Sequence, residues 1–376
     1  MRFDRLKNYM DTLSSVGVPG CDLLVMRDHQ VLFRYGAGCS DAEGKVPVRG
    51  DEMYWLFSCT KVITTCAAMQ LIEQGKLHPD DPVGRYLPSY RELTVRDENG
   101  VRPAQNVMTV RHLMSMQSGL DYELNRPAVR RAIRETGGAA GTLRLAQAMA
   151  EDPLCFEPGT DFLYSLSHDV LAAVIEVITG ETFMGYLRKH IFDPLGLRDF
   201  SFVLTPENEK RLAAIYLMKD GELTLRPKDS NNYQLTPSYE SGGAGLMGCV
   251  KEYAAFLDAV ACGGLAENGA RILAPEMIQL WNANQLTPAS RRTFDTWGRR
   301  GYSYGLGVRT RVDLSAGGPG SVGEFGWDGA AGAWAMIDPT LRLSAFYAMH
   351  VRGFGYSYDV IHPTLRGLIY EGLTEP

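Results

Sequence analysis

The chain has 376 residues, 45% hydrophobic and 22% charged, which is apolar enough for a sizeable core and longer than one typical domain of roughly 100–200 residues. A formal charge of −6, from 38 basic against 44 acidic groups, argues against the basic footprint of a nucleic-acid binder. Seven scattered cysteines, none in a C-x-x-C pair, fit neither a disulfide framework nor a zinc-ligand spacing and suit a reducing compartment.

The first residues, MRFDRLKNYMDTLSS, predict an amphipathic helix over 2–15 and contain no apolar leader stretch. No run approaches the ~18 apolar residues of a membrane span. The expectation is therefore a cytoplasmic protein, or a periplasmic or secreted one if a leader has been removed. CDLLVM and VLFRYG flank a polar turn at residues 28–30 and predict a β-hairpin. The aromatic run MYWLF leads into SCTKVITTCAAMQLIEQGK, whose apolar spacing, initial Ser and late Gly75 predict a helix. HPDDPVGRYLPSY is a loop. Helical patterns follow in VRHLMSMQS, LRLAQAMAED, HDVLAAVIEVITG and FMGYLRKHIF, and strand-like alternation is scarce until about residue 240. Helices are expected at 250–262 and 275–284. The last hundred residues turn β-rich in YSYGLGVRTRVDL, AGAWAMID and LRLSAFYAMH, the last two joined by a turn at 338–340, before a final helix over 358–370. This order predicts an α/β (α+β) fold: an antiparallel sheet flanked by helices and built from both chain ends, residues 1–78 and 240–376. A mostly helical domain, 79–239, is inserted between them, with the active site in the cleft.

Ser58-Cys59-Thr60-Lys61 is an S-x-x-K. Positions i and i+3 share a helix face, so hydroxyl and amine can meet. At a helix start the first N–H groups lack helical partners and the dipole favours negative charge, which suits an oxyanion forming at Ser58 and lowers the pKa of a partly desolvated Lys61. A neutral amine there could take the Ser proton. Read without its surroundings, the tetrapeptide fits an N-cap Ser and a solvated first-turn Lys better than a catalytic pair. Cys59 reads as a small buried apolar residue.

The surroundings resemble those of class C β-lactamases, and more closely family VIII carboxylesterases, from about Val18 to His350. PGCDLLVMRDHQVLFRYGAG is similar to that family's opening hairpin, MYWLFSCTKVITTCAAMQLIEQGKL to its nucleophile helix, and DDPVGRYLP to the loop behind it. TVRHLMSMQSGL resembles its H-L-L-x-H-x-S-G-L segment, and SGGAGLMGCVKEYAAFLDAV and YSYGLGV resemble two later landmarks. FEPGTDFLYSLSHDVLAAVIEVITG is similar to the segment bearing the second motif, which makes Tyr164, in Tyr164-Ser165-Leu166, the expected partner of Lys61 in proton transfer. The third motif falls at Trp327-Asp328-Gly329. By the resemblance, the N–H of Ala330 then joins that of Ser58 in an oxyanion hole. Leu166, His168, Trp327, Asp328 and Gly329 are candidate substrate contacts. Leu166 stands where many β-lactamases have Asn, and Trp327 where they have Lys. Neither suits a β-lactam, and Asp328 would repel a β-lactam carboxylate. The resemblance implies a β-lactamase/transpeptidase-like fold and a serine hydrolase, most simply an esterase for short neutral esters.

The alternatives are a β-lactamase, a D-amino-acid peptidase or amide hydrolase, an acyltransferase, and a penicillin-binding sensor that acylates without turnover. Gly301-Tyr302-Ser303-Tyr304-Gly305 offers a rival nucleophile, Ser303, as an α/β-hydrolase elbow, but the following GLGVRTRVDL alternates like a strand. Gly243-Ala244-Gly245-Leu246-Met247-Gly248 matches a dinucleotide fingerprint without its βαβ context and reads as a loop near the cleft. The seven His show no ligand spacing, so no metal is implied, no cofactor is required, and the expected partner is a small ester or amide.

Overall fold

The computed structural model describes residues 3–374. The apolar run Leu23–Met26 lies within β1 (Gly20–Arg27), which is followed by the half-buried β2 (Gln30–Gly38). A tight turn at Asp28 and His29, with φ of 52° and 65°, joins them in the geometry that matches strand twist. Gln30, expected in the turn, already belongs to β2. The C-terminal part supplies β3 (Tyr302–Tyr304), β4 (Arg309–Arg311), β5 (Phe325–Gly326), β6 (Trp334–Asp338) and β7 (Leu343–Met349). The seven strands run β2-β1-β7-β6-β5-β4-β3, and each neighbouring pair is antiparallel. The sheet is thus drawn from both chain ends.

Helices cover both faces. α1 (Asp4–Thr12), shorter than expected and continued by a 3₁₀ turn over Leu13–Val16, buries Leu6 and Met10. It packs in one cluster with β1, β7 and the C-terminal helix. On the other face, α4 (Val250–Ala261) packs on β7, β1 and β6. α2 (Thr60–Glu73) is buried from Thr60 to Leu71, which explains a helix apolar on nearly every side. It packs against α3 (Ser167–Thr179) of the inserted block, and α5 (His362–Thr374) closes the chain. One continuous buried cluster runs from Leu24 and Phe346 of the sheet through α2 to Val170 of α3.

The block between 79 and 239 is less purely helical than its pattern predicts. It carries two hairpins, Thr94–Asp97 with Gly100–Pro103 and Ile215–Lys219 with Glu222–Arg226. Apart from Val95 and Ile215, which are buried, both are largely exposed, the last strand fully so, and neither presents the continuous apolar face of a half-buried strand. Ser303 sits on β3, which leads to β4 rather than to a helix, and its Oγ donates to Asn284 Oδ1. That overturns the elbow reading, which requires a strand-to-helix turn. Among the described residues no single helix is long and apolar enough to cross a membrane.

Candidate active site

Ser58 is held by a short strand, Met53–Trp55, paired antiparallel with Met247–Cys249. The Leu56 N–H then donates to Leu246 O at 2.9 Å, and the chain turns into a 3₁₀ turn over Phe57–Cys59 before α2 begins at Thr60. The nucleophile candidate therefore precedes the α-helix rather than capping it. Phe57, fully buried, adopts φ 46°, a left-handed conformation costing a bulky residue on the order of 1–3 kcal/mol, and the packed surroundings hold it there.

Lys61 lies one turn on and is wholly buried. Its Nζ is 3.3 Å from Ser58 Oγ, 2.8 Å from Tyr122 Oη and 2.7 Å from the carbonyl of Gly243. It also lies 4.5 Å from the ring centroid of Tyr164. Burial pulls its pKa down to about 7, against the opposing pull of Asp169. The Tyr164 hydroxyl lies beside that of Ser58 and accepts a hydrogen bond from Trp327 Nε1 at 2.8 Å. Burial pushes the Tyr164 and Tyr122 phenols well above the usual range, so both keep their protons at neutral pH. Burial likewise raises the Cys59 thiol well above its ordinary range, against the thiolate a nucleophile needs.

The loop before α4 anchors the lysine from the far side. Asp169, on the first turn of α3, is fully buried; its Oδ1 accepts from Tyr239 Oη at 2.6 Å, Ser241 Oγ at 2.5 Å and the Gly243 N–H at 3.4 Å. Its other oxygen has no partner and lies 2.4 Å from where a Cβ on Gly243 would sit. Gly243 must be glycine for its carbonyl to reach Lys61. Gly243→Ala is expected to lower kcat by up to about 10²-fold, as displacements near 1 Å do, with thermal melting to confirm that the variant folds.

The third segment closes the site. Gly329 and Gly332 form a turn after Trp327, and an added Cβ on Gly329 would lie 2.4 Å from the carbonyl of Leu56. The absent side chain lets the turn carrying Ala330 sit against the backbone two residues before Ser58. Ala330 packs on the cluster that contains Phe57. The rings of Tyr122, Tyr164, Trp297 and Trp327 form an aromatic wall, with neighbouring centroids 5.5 Å apart from Tyr122 to Tyr164, from Tyr164 to Trp297 and from Tyr164 to Trp327.

A serine, a buried lysine and a phenol brought together from a helix start and a distant loop are what the family comparison bears on. The Beta-lactamase family model matches residues 4–360. The chain belongs to the Beta-lactamase family. Its relatives in that family include esterase EstB of Burkholderia gladioli, 31% identical over 354 residues that cover 86% of this chain and 84% of that protein. Acyltransferase calJ of Penicillium decumbens is 29% identical over 88% of this chain and 84% of its own length. Among solved structures, EstCE1, described as a hydrolase with promiscuous acyltransferase activity, superposes with a TM-score of 0.78 at 26% identity over 98% of both chains.

Within this Beta-lactamase fold the other candidate contacts lie in different settings. Leu166 is buried at the start of α3 in the apolar core. His168 is fully buried, its Nε2 3.2 Å from Met114 O, and burial pulls its pKa down to about 3, so it packs as a neutral ring. Asp328 is not the free charge expected: its Oδ1 accepts from Arg309 and its Oδ2 from Arg299, both at 2.8 Å, and the two guanidiniums hold the carboxyl below its usual range despite burial. Tyr122 and Asp169 match no motif in the sequence. Tyr122 lies on the loop after the S-G-L of residues 118–120, and it reaches Lys61 because the N–H of Leu166 bonds Asp121 O at 3.0 Å, tying that loop to the one bearing Tyr164.

Proposed function

We propose that the chain is a carboxylesterase for small esters that works through an acyl-enzyme on Ser58. The observation that carries this reading is the setting of the Lys61 amine. With its pKa near 7 it is substantially neutral at physiological pH, and a neutral amine has two hydrogens and one lone pair. The hydrogens are accounted for by Gly243 O and Tyr122 Oη, which leaves the lone pair for the hydroxyl of Ser58.

Ser58 Oγ attacks the ester carbonyl carbon as its proton passes to Lys61 Nζ. The carbonyl oxygen becomes an oxyanion that the N–H groups of Ser58 and Ala330 receive. Tyr164, protonated and next to Ser58, gives its proton to the departing alcohol as the C–O bond breaks and recovers one from Lys61. Water then enters by the same route in reverse and releases the acid. The aromatic wall is uncharged and Leu166 offers no hydrogen-bond partner for an acylamino side chain, so neutral acyl groups are preferred. Nitrocefin is expected to turn over far more slowly than p-nitrophenyl butyrate; comparable kcat/KM values would remove the preference.

Transfer of the acyl group to an alcohol is the second reading, favoured by the acyltransferase activity named for calJ and EstCE1. The test of the primary reading is a fluorophosphonate probe followed by peptide mass spectrometry. The adduct is expected on Ser58; an adduct on Ser303, or none on an active preparation, overturns the proposal. Added alcohols that divert product to a new ester would favour transfer over hydrolysis.

A further inference from the structure

Beside the aromatic wall, between the segment 297–300 and the start of α5, lies a cavity of about 380 Å³. Four guanidiniums line it, those of Arg299, Arg300, Arg309 and Arg366, against two carboxylates, Asp328 and Asp359. Asp328 is committed to Arg309 and Arg299, and Asp359 is exposed to solvent. Arg300 is exposed, with no partner for its guanidinium among the described residues. Arg366 is 7% exposed. One of its arms donates to Gly317 O, another is 3.6 Å from Glu324, and its Nε is buried without a partner. Burial pushes the Glu324 carboxyl up to about 8, which leaves Arg366 short of counter-charge near neutral pH. A cavity lined by more guanidiniums than carboxylates favours an anion that can pair with the surplus N–H donors.

We propose that this cavity binds the anionic end of the substrate, a carboxylate or phosphate carried on the alcohol part of the ester. The inference rests on the proposed Ser58 chemistry and deepens it. Two contacts join the cavity to that site. Trp297, 40% exposed, lines the cavity and packs its ring at 5.5 Å on Tyr164, the group that protonates the leaving alcohol. Tyr358, on the opposite wall, donates its hydroxyl to Gly329 O at 3.0 Å, in the turn that presents Ala330. A leaving group that passes Tyr164 therefore meets the guanidiniums, while the acyl group stays against neutral aromatic rings. The planar fork of arginine pairs two-pronged with carboxylate and phosphate alike.

The test uses matched esters of butyric acid on the whole protein: benzyl, 4-carboxybenzyl, 4-phosphonobenzyl and 4-(aminomethyl)benzyl. One or both anionic esters are expected to exceed the benzyl ester in kcat/KM by about tenfold, the worth of a charge-assisted hydrogen bond. The favoured anion identifies the group. Arg300→Glu and Arg366→Gln should each collapse that ratio; Arg300 is on the surface, so its variant reads the pocket even if Arg366→Gln does not fold. A ratio at or below one, a preference for the aminomethyl ester, or a ratio unchanged in both variants overturns the proposal. Calorimetric binding of 4-(hydroxymethyl)benzoate to Ser58→Ala reads the pocket without turnover, and loss of that binding in the Arg300→Glu background supports it. Turnover surviving in Ser58→Ala would instead overturn the esterase mechanism and leave the binding result standing.

Discussion

Ser58→Ala and Lys61→Met are each expected to lower kcat on p-nitrophenyl butyrate by about 10⁴–10⁶-fold, and the double variant is expected to lose no more than the worse single one. The reason is that hydroxyl and amine act as one unit. Without Lys61, Ser58 remains a neutral alcohol with no base; without Ser58, the amine 3.3 Å away has no proton to take. Losses that add across the two sites would mean that the groups act separately. The wild-type pH profile tests the same unit. Lys61 must be unprotonated to accept, and its pKa is about 7. Below that pH, log kcat/KM is expected to fall with a slope near one as the amine becomes charged, and above it to level off. A profile flat from pH 5 to 8 would assign the base elsewhere.

Gly329→Ala is expected to lower kcat by about 10²–10³-fold, the range for loss of one oxyanion donor. The new methyl would sit 2.4 Å from Leu56 O and 3.1 Å from the Ala333 side chain. The Leu56 carbonyl cannot yield readily, because the Leu56 N–H is bonded to Leu246 and its carbonyl accepts from Cys59. The turn moves instead and takes the Ala330 N–H with it. KM should change less than kcat, since an oxyanion donor acts on the transition state more than on the bound ester. A loss confined to KM would place Ala330 outside the oxyanion hole and make the glycine a purely steric requirement.

The sheet was legible because its strands alternate or run apolar between clear turns, as β1, β2, β6 and β7 do. So was the block of helices, through 3.6-residue spacing in segments such as HDVLAAVIEVITG. The two hairpins of the inserted block were not, although Asn99-Gly100 and Asp220-Gly221 are strong turn signals; their strands are only 4 or 5 residues long and bury little beyond Val95 and Ile215, too short a pattern to stand out among the helices. Within the candidate site, Ser58 and Lys61 are marked by their spacing, whereas Tyr164, Trp327 and Gly329 are proposed only through family resemblance. Tyr122 and Asp169 were invisible, since their roles depend on loops meeting across the fold. The pairing of Asp328 is hidden in the sequence for a similar reason. Arg299 and Arg309, which neutralise it, lie about 19 to 29 residues away in sequence and on different elements.

The pairing of β1 with β7 has a consequence for synthesis. β1 leaves the ribosome early, yet its partner, beginning at Leu343, is made roughly three hundred residues later. At about 5–20 residues per second the N-terminal hairpin waits some tens of seconds with one edge open. Its inner residues, Leu23 to Val25, are fully apolar and present a ready template for another nascent chain. Chaperone demand during translation, and aggregation of chains truncated before β7, follow directly from placing the two halves of one sheet at opposite ends of the polypeptide.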